Sequence, residues 1–346
     1  MGWGRTRFST FGLVVLALAL AAAACGGSSG GSDGKVTLRL GYFPNVTHAP
    51  AMIGVEKGIF ARELGAGVKL ETATFNAGPE AVTALLSGAL DITYIGPNPA
   101  INAYAQSKGE DVRIIAGSTS GGASLVVKPS ITKATQLKGK RIASPQLGNT
   151  QDVALRSWLI SQGFKITAEG GDVNIVAQAN AQTLDTFKSG TIDGAWVPEP
   201  WATRLQVEGG GKVLVDEKSL WPDGKFVTTH VIVRTDFLKD HADIVKKFLK
   251  AHEEAVKFAT DHADEAKTVV NGAIEKLTGK ALKPAIIDAA WTNLLFTVDP
   301  LASTLRKSAE AAQKVGLLDP VDLSGIYNLG LLNAVLSDLG EPAVSA

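Results

Sequence analysis

Cysteine is almost absent: Cys25 is the single one among 346 residues. No disulfide can form within the chain, and no cysteine-based metal site can be built. The five histidines, His48, His230, His241, His252 and His262, show no i,i+4 pairing, so no histidine metal site is expected and no metal or cofactor is called for. Net charge is missing too. Thirty-four Lys and Arg cancel 34 Asp and Glu, which leaves no basic footprint for nucleic acid. No G-x-S-x-G elbow and no paired-carboxylate signature occur. Gly209-Gly210-Gly211-Lys212 is followed by Val213 rather than Ser or Thr, so it is no phosphate-binding loop. What remains is 45% hydrophobic and 20% charged, enough to bury a core and long enough for two domains.

The one long apolar run lies at the start. Arg5 and Arg7 precede an uncharged stretch from Phe11 to Ala24, shorter than the roughly 20 residues that span a bilayer but suited to a signal-peptide core. Ala22-Ala23-Ala24-Cys25 then resembles a bacterial lipoprotein signal, with Ala22 standing where Leu is usual. Residues 1–24 are read as the signal peptide and Cys25 as the lipid-attachment site. Residues 25–35, rich in Gly and Ser, are read as a flexible tether. The expected location is the outer face of the cytoplasmic membrane, or the periplasm.

Beyond the tether, short strand-like runs alternate with amphipathic helical ones. Val36–Leu40, Val68–Thr74, Asp91–Ile95, Val112–Ala116, Lys140–Ala143, Val173–Val176, Ala195–Val197 and Val213–Val215 read as strands. Helices are expected between them, as at Pro79–Ser87, Pro97–Gln106 and Thr150–Gln162. This rhythm predicts an α/β fold with parallel-rich sheets covered by helices. From Asp236 onward helical periodicity dominates, which predicts helices packed on the first lobe.

One internal echo organises the chain. Ser87-Gly88-Ala89-Leu90-Asp91-Ile92-Thr93-Tyr94-Ile95 and Ser189-Gly190-Thr191-Ile192-Asp193-Gly194-Ala195-Trp196-Val197 share a helix-ending Ser-Gly, an Asp and a strand ending aromatic-aliphatic. A Pro-rich helix entry follows each. The spacing, about the size of a small α/β unit, predicts two lobes of like architecture. Lobe one is assigned residues 36–122 and 227–346, and lobe two residues 123–226. The chain must then cross twice, through Ala123–Lys128 and Lys225–Arg234, which is a two-strand hinge.

Ligands of open α/β sheets lie beyond the carboxyl ends of strands. The loops expected there hold the candidate ligand-binding residues: Asn45, Thr47 and His48; Gly78; Gly96, Pro97 and Asn98; Thr119 and Ser120; Gly148, Asn149 and Thr150; Glu199 and Trp201. None of these loops contains Lys or Arg, while several open helices, with Asn149 or Thr150 read as a cap. Free N–H groups and the helix dipole at such ends favour an oxyanion without a cationic side chain. Glu199 opposes an anion unless the ligand also carries an amine.

These residues resemble a known family. Leu38-Arg39-Leu40-Gly41-Tyr42-Phe43-Pro44, Glu56-Lys57-Gly58-Ile59-Phe60, Leu137-Lys138-Gly139-Lys140-Arg141-Ile142-Ala143 and Asp193-Gly194-Ala195-Trp196-Val197-Pro198-Glu199-Pro200-Trp201 are similar to the periplasmic-binding family for alkanesulfonate, taurine and nitrate. The resemblance runs from about Val36 to Arg234. It implies a type II periplasmic-binding-protein fold, a monomer with a small organic anion, an alkanesulfonate or taurine first, held between its lobes. An ABC permease and its ATPase are the implied partners, with no catalytic residues. Family members also take nitrate, bicarbonate or thiamine pyrimidines. Biosynthetic enzymes on this fold carry a cysteine-rich segment that has no counterpart after Cys25.

Overall fold

The computed structural model describes residues 35–167 and 170–346. Cys25, the apolar run before it and nearly all of the expected tether lie outside the described residues. In chain order the strands are β1 Val36–Tyr42, β2 Val68–Thr74, β3 Ile92–Ile95, β4 Val112–Gly121, β5 Ala123–Val127, β6 Arg141–Ser144, β7 Ile166–Thr167, β8 Gly170–Gly171, β9 Asn174–Ala177, β10 Gly194–Pro198, β11 Lys212–Asp216, β12 Val227–Arg234 and β13 Leu294–Phe296. Two of these, β7 and β8, form a small hairpin. The others build two sheets, ordered β13-β4-β12-β3-β1-β2 and β11-β5-β10-β6-β9.

The two sheets repeat one topology. β1 runs parallel to β2 and β3, and β12 pairs antiparallel with β3 and β4. In the second sheet β6 runs parallel to β9 and β10, and β5 pairs antiparallel with β10 and β11. The antiparallel strand set beside the parallel ones, β12 in the first sheet and β5 in the second, comes in each case directly after the chain has passed from the other sheet, so the chain crosses twice.

The internal echo is the same reciprocal bond in both lobes. Arg39 N–H donates to the Asp91 carboxylate at 2.8 Å, and Arg141 N–H to the Asp193 carboxylate at 2.9 Å. The Asp91 and Asp193 N–H groups return bonds to the Arg39 and Arg141 carbonyls, at 2.9 and 2.8 Å. Each Asp carbonyl then accepts from the antiparallel neighbour, Arg234 at 2.9 Å and Lys128 at 2.8 Å. An aspartate can make this double bond because its short carboxylate reaches the main chain of the adjacent strand.

Alternation along the strands explains the layers. In β5, Leu125 and Val127 face one cluster with Trp158 and Trp196, whereas Val126 faces Phe187, Val197 and Leu205 on the opposite side. In β12, Val231 and Val233 join Leu38, Leu40, Phe60 and Phe248, while Ile232 joins Leu85, Ile101 and Ile114. The helical region beyond Asp236 packs largely on the first lobe, but Ser303–Lys314 also meets Thr150–Ser161, and Pro284–Thr292 meets Trp201–Val207. The long helix Ala242–Asp261 lies against Ala49–Glu56 and Ile59–Leu64, burying Val245, Phe248 and Leu249.

The first crossing is abrupt. β4 passes to β5 through Gly121 and Gly122, both left-handed, at φ 81° and 74°. A Cβ at Gly122 would sit 2.1 Å from the Leu294 side chain, and one at Gly121 would sit 2.7 Å from the Asn293 carbonyl. Only glycine combines that backbone conformation with that closeness. The second crossing runs from β11 through short turns at Glu217–Leu220 and Pro222–Gly224 into β12. The Thr228 hydroxyl donates to the Gly121 carbonyl, tying the two crossings together.

Candidate functional site

A small cavity lies where the carboxyl ends of the parallel strands of both lobes face each other. It is lined by Phe43, Asn45, Thr47, His48, Asn76, Ala77, Gly96 and Thr228 from one side, and by Asn149, Thr150, Gln151, Asn180 and Pro198 from the other. Its volume is about 20 Å³. No Asp, Glu, Lys or Arg lines it.

The turn Asn45–His48 forms one wall. It is pinned by its own main chain, since the Thr119 and Thr229 hydroxyls both donate to the Thr47 carbonyl, at 2.7 and 3.0 Å. His48 is fully enclosed and stacks on Phe43 with ring centroids 4.4 Å apart. Burial drives its imidazolium pKa down to about 3, so the ring is neutral. Nδ1 accepts the Phe43 N–H at 3.4 Å, which assigns the proton to Nε2.

The opposite wall is a helix N-terminus. The helix Thr150–Ser161 starts at the cavity, with Asn149 in the capping position and Thr150 first in the helix. The expected cap is only half realised: Asn149 has the backbone of a cap, but its side chain is engaged elsewhere. Its Oδ1 accepts the Gly78 N–H at 3.4 Å across the cleft, and its Nδ2 donates to Gln151 Oε1 at 3.2 Å. The Asp152 and Val153 N–H groups donate to the Asn149 carbonyl at 3.0 and 3.1 Å, which leaves those of Thr150 and Gln151 without an intrahelical acceptor. The Thr150 Oγ1 and Asn180 Oδ1 are buried without a hydrogen-bond partner. Gly96 permits this approach, because a Cβ there would lie 2.3 Å from Thr150 Oγ1. Behind the helix start, Asp152 is buried and accepts from Ser144 Oγ at 2.7 Å, Gly148 N–H at 3.0 Å and Arg156 Nε at 3.0 Å. The Arg156 guanidinium compensates that carboxylate.

Of the residues expected at the site, Asn45, Thr47, His48, Gly96, Asn149 and Thr150 line the cavity. The others stand around it with different tasks. Gly78 offers its N–H to Asn149, and Thr119 holds the Thr47 carbonyl. Ser120 Oγ accepts the Phe226 N–H at 3.3 Å, and Gly148 bonds Asp152. Pro97 is the first residue of its helix, and Asn98 Nδ2 donates to the Ser308 carbonyl at 3.0 Å. Trp201 Nε1 donates to Asn45 Oδ1 at 2.9 Å, bridging the lobes at the cavity's edge.

Glu199 is placed away from the cavity. Its carboxylate accepts from Thr203 N–H at 3.1 Å, Thr203 Oγ1 at 3.0 Å and Asn293 Nδ2 at 2.8 Å. It caps the helix Trp201–Val207, which begins two residues later, and burial pushes its pKa upward. With three donors engaged it is not positioned to receive a ligand amine.

Phe43, Asn76, Ala77, Gln151 and Pro198 line the cavity beside the named candidates, and Asn180 and Thr228 line it from outside the loops that held them. Asn180 occupies in lobe two the place that Asn76-Ala77-Gly78 occupies in lobe one, after the parallel edge strand, β9 or β2. Extending the Ser-Gly-Asp echo by one strand would have found it. The segment Gln178-Ala179-Asn180 lacks the Gly and Pro that flagged the other loops. Thr228 reads as one more strand position of β12.

Residues 31–272 match the NMT1-like family, and the chain belongs to that family. It is 32% identical over 209 residues to the taurine-binding periplasmic protein of Escherichia coli, a match covering 60% of this chain and 62% of that one. It is 27% identical over 311 residues to the putative aliphatic sulfonates-binding protein of Bacillus subtilis, covering 88% and 87%. Among solved structures, the alkanesulfonate-binding protein of Xanthomonas axonopodis bound to MOPS superposes with a TM-score of 0.71 at 18% identity, covering 85% of this chain and 99% of that one. The nitrate-binding protein of Synechocystis superposes equally, with TM-score 0.71 at 18% identity over 89% and 90%. These likenesses show the periplasmic-binding-protein fold.

Proposed function

We propose that this member of the NMT1-like family is the extracytoplasmic solute-binding component of an ABC importer, holding a small sulfonate between its lobes. The carrying observation is the cavity itself. It sets a helix N-terminus, the unpartnered Thr150 hydroxyl and a neutral His48 around a space with no charged side chain. Such a lining suits a permanently ionised, weakly basic oxyanion, which amides and hydroxyls can hold without accepting or donating a proton. Alkanesulfonates and taurine, the solutes in the names of the relatives, have this headgroup. Binding between the lobes favours whichever arrangement gives the headgroup contacts from both walls. That arrangement is what a permease and its ATPase would recognise.

The lipid anchor belongs to the same reading. Cys25 acylation would hold the receptor beside its permease while the Gly/Ser segment lets it move. Deleting the gene and following sulfur-labelled sulfonate uptake tests the transport role. Uptake should fall to background; unchanged uptake with loss of a sulfonate-induced transcriptional response would make the protein a sensor instead. Cys25→Ser should release the protein from the membrane fraction.

A further inference from the structure

Beside the polar cavity lies a much larger space, and the two share three walls. Asn45, Asn76 and Asn180 line both. The outer space has a volume of about 480 Å³ and is contributed by both lobes. Its apolar walls are Pro44, Phe75, Pro200, Trp201, Leu277 and Leu282. Arg204 and Lys280 also line it, and no Asp or Glu does. The Arg204 guanidinium lies over the Trp201 ring at 4.6 Å and is partly compensated by Glu208, whereas Lys280 forms no ion pair among the described residues.

We infer that this vestibule is the subsite for the organic part of the ligand, and that it selects sulfonates with an uncharged apolar chain or ring over aminosulfonates such as taurine. The inference rests on the sulfonate reading above. The inner cavity, at about 20 Å³, holds little more than one water in this arrangement, so a headgroup enters it only as the walls part and no tail fits beside it. The tail must leave past the three asparagines, and the vestibule is where that path leads. An apolar tail buries surface there against Phe75, Trp201 and Leu277. An ammonium meets Arg204 and Lys280 and finds no free carboxylate. Glu199, which precedes Pro200, is occupied by Thr203 and Asn293, and Glu275, which follows Ile274, does not line the space. Like charges and the lack of a carboxylate in the lining both oppose such a ligand.

The test is a titration series on the folded body from residue 35, one compact unit. The probes are methanesulfonate, ethanesulfonate, butanesulfonate, hexanesulfonate and taurine. The dissociation constant should fall about two- to fourfold per added methylene up to the length of the vestibule. Taurine should bind at least about tenfold more weakly than ethanesulfonate. Leu277→Ser, at an exposed wall position, should flatten the chain-length gain. Methanesulfonate binding as tightly as hexanesulfonate, or taurine binding more tightly than ethanesulfonate, would overturn the vestibule while leaving the sulfonate site standing. Failure of every sulfonate to bind would remove both.

Discussion

The Trp201 indole N–H meets the Asn45 side-chain carbonyl at 2.9 Å across the cleft, joining the helix start of one lobe to the first loop of the other. The bond exists only when the lobes are together, so it counts toward ligand retention. Trp201→Phe keeps an aromatic ring and loses the donor. Sulfonate affinity should fall about two- to tenfold, chiefly through faster release. Titration calorimetry with stopped-flow release checks this; unchanged affinity would show that the bond contributes nothing to closure.

Substitutions at the opposite wall should separate binding from folding. Proline is tolerated at the first helical position, where Thr150 sits, but it removes both that residue's N–H and its hydroxyl. Asn149→Asp keeps an oxygen for the Gly78 N–H and sets a carboxylate against the anion. Each change should weaken sulfonate binding by about tenfold or more, with the unliganded melting temperature shifting by a few degrees at most. Equal affinity in both variants would take this helix out of the site.

Much of this arrangement was legible in the sequence. The Ser-Gly-x-x-Asp echo marks the position at which β3 locks to β1 and β10 to β6, because the aspartate's short side chain reaches its neighbour's main chain. The Gly/Pro/Asn loops supplied six of the thirteen cavity residues as named candidates, and five more, Phe43, Asn76, Ala77, Gln151 and Pro198, stand in the same loops. What stayed hidden was side-chain direction. Glu199 and Trp201 are two residues apart, yet one turns back to cap its helix while the other reaches across the cleft. Nothing in their spacing decides which. Asn180 and Thr228 were missed because neither carries a turn signal; only the pairing of the two sheets brings them to the cavity.

Binding should be insensitive to pH. His48 is the one titratable ring on the cavity, and burial holds its pKa near 3, so it remains neutral from pH 5.5 to 8. A sulfonate keeps its charge over the same range. Affinity measured across that interval should vary less than about twofold; an inflection near the ordinary histidine pKa of about 6.5 would mean that an imidazolium takes part.

Stability should depend on pH through Glu217. It is fully enclosed, accepts the Trp196 indole N–H at 2.7 Å, and burial raises its pKa from 4.5 to about 7. Between those values the folded chain holds a proton that the unfolded chain has released. Raising the pH through this window therefore lowers stability, by roughly 3 kcal/mol in all. The buried His230 and His252, with pKa values lowered to about 4, act with the opposite sign and stabilise as the pH rises toward 6.5. Comparing wild type with Glu217→Gln cancels the histidines. Denaturant melts should show the variant gaining on wild type as the pH goes from 4.5 to 7, and a constant difference would place the carboxylate elsewhere.

The most direct test of the central claim is calorimetric titration of the body from residue 35 with ethanesulfonate, in parallel with Thr150→Pro. One-to-one binding by wild type and its loss in the variant is the predicted result. No heat with any sulfonate, or equal binding by both proteins, would contradict a sulfonate site built on the Thr150 helix.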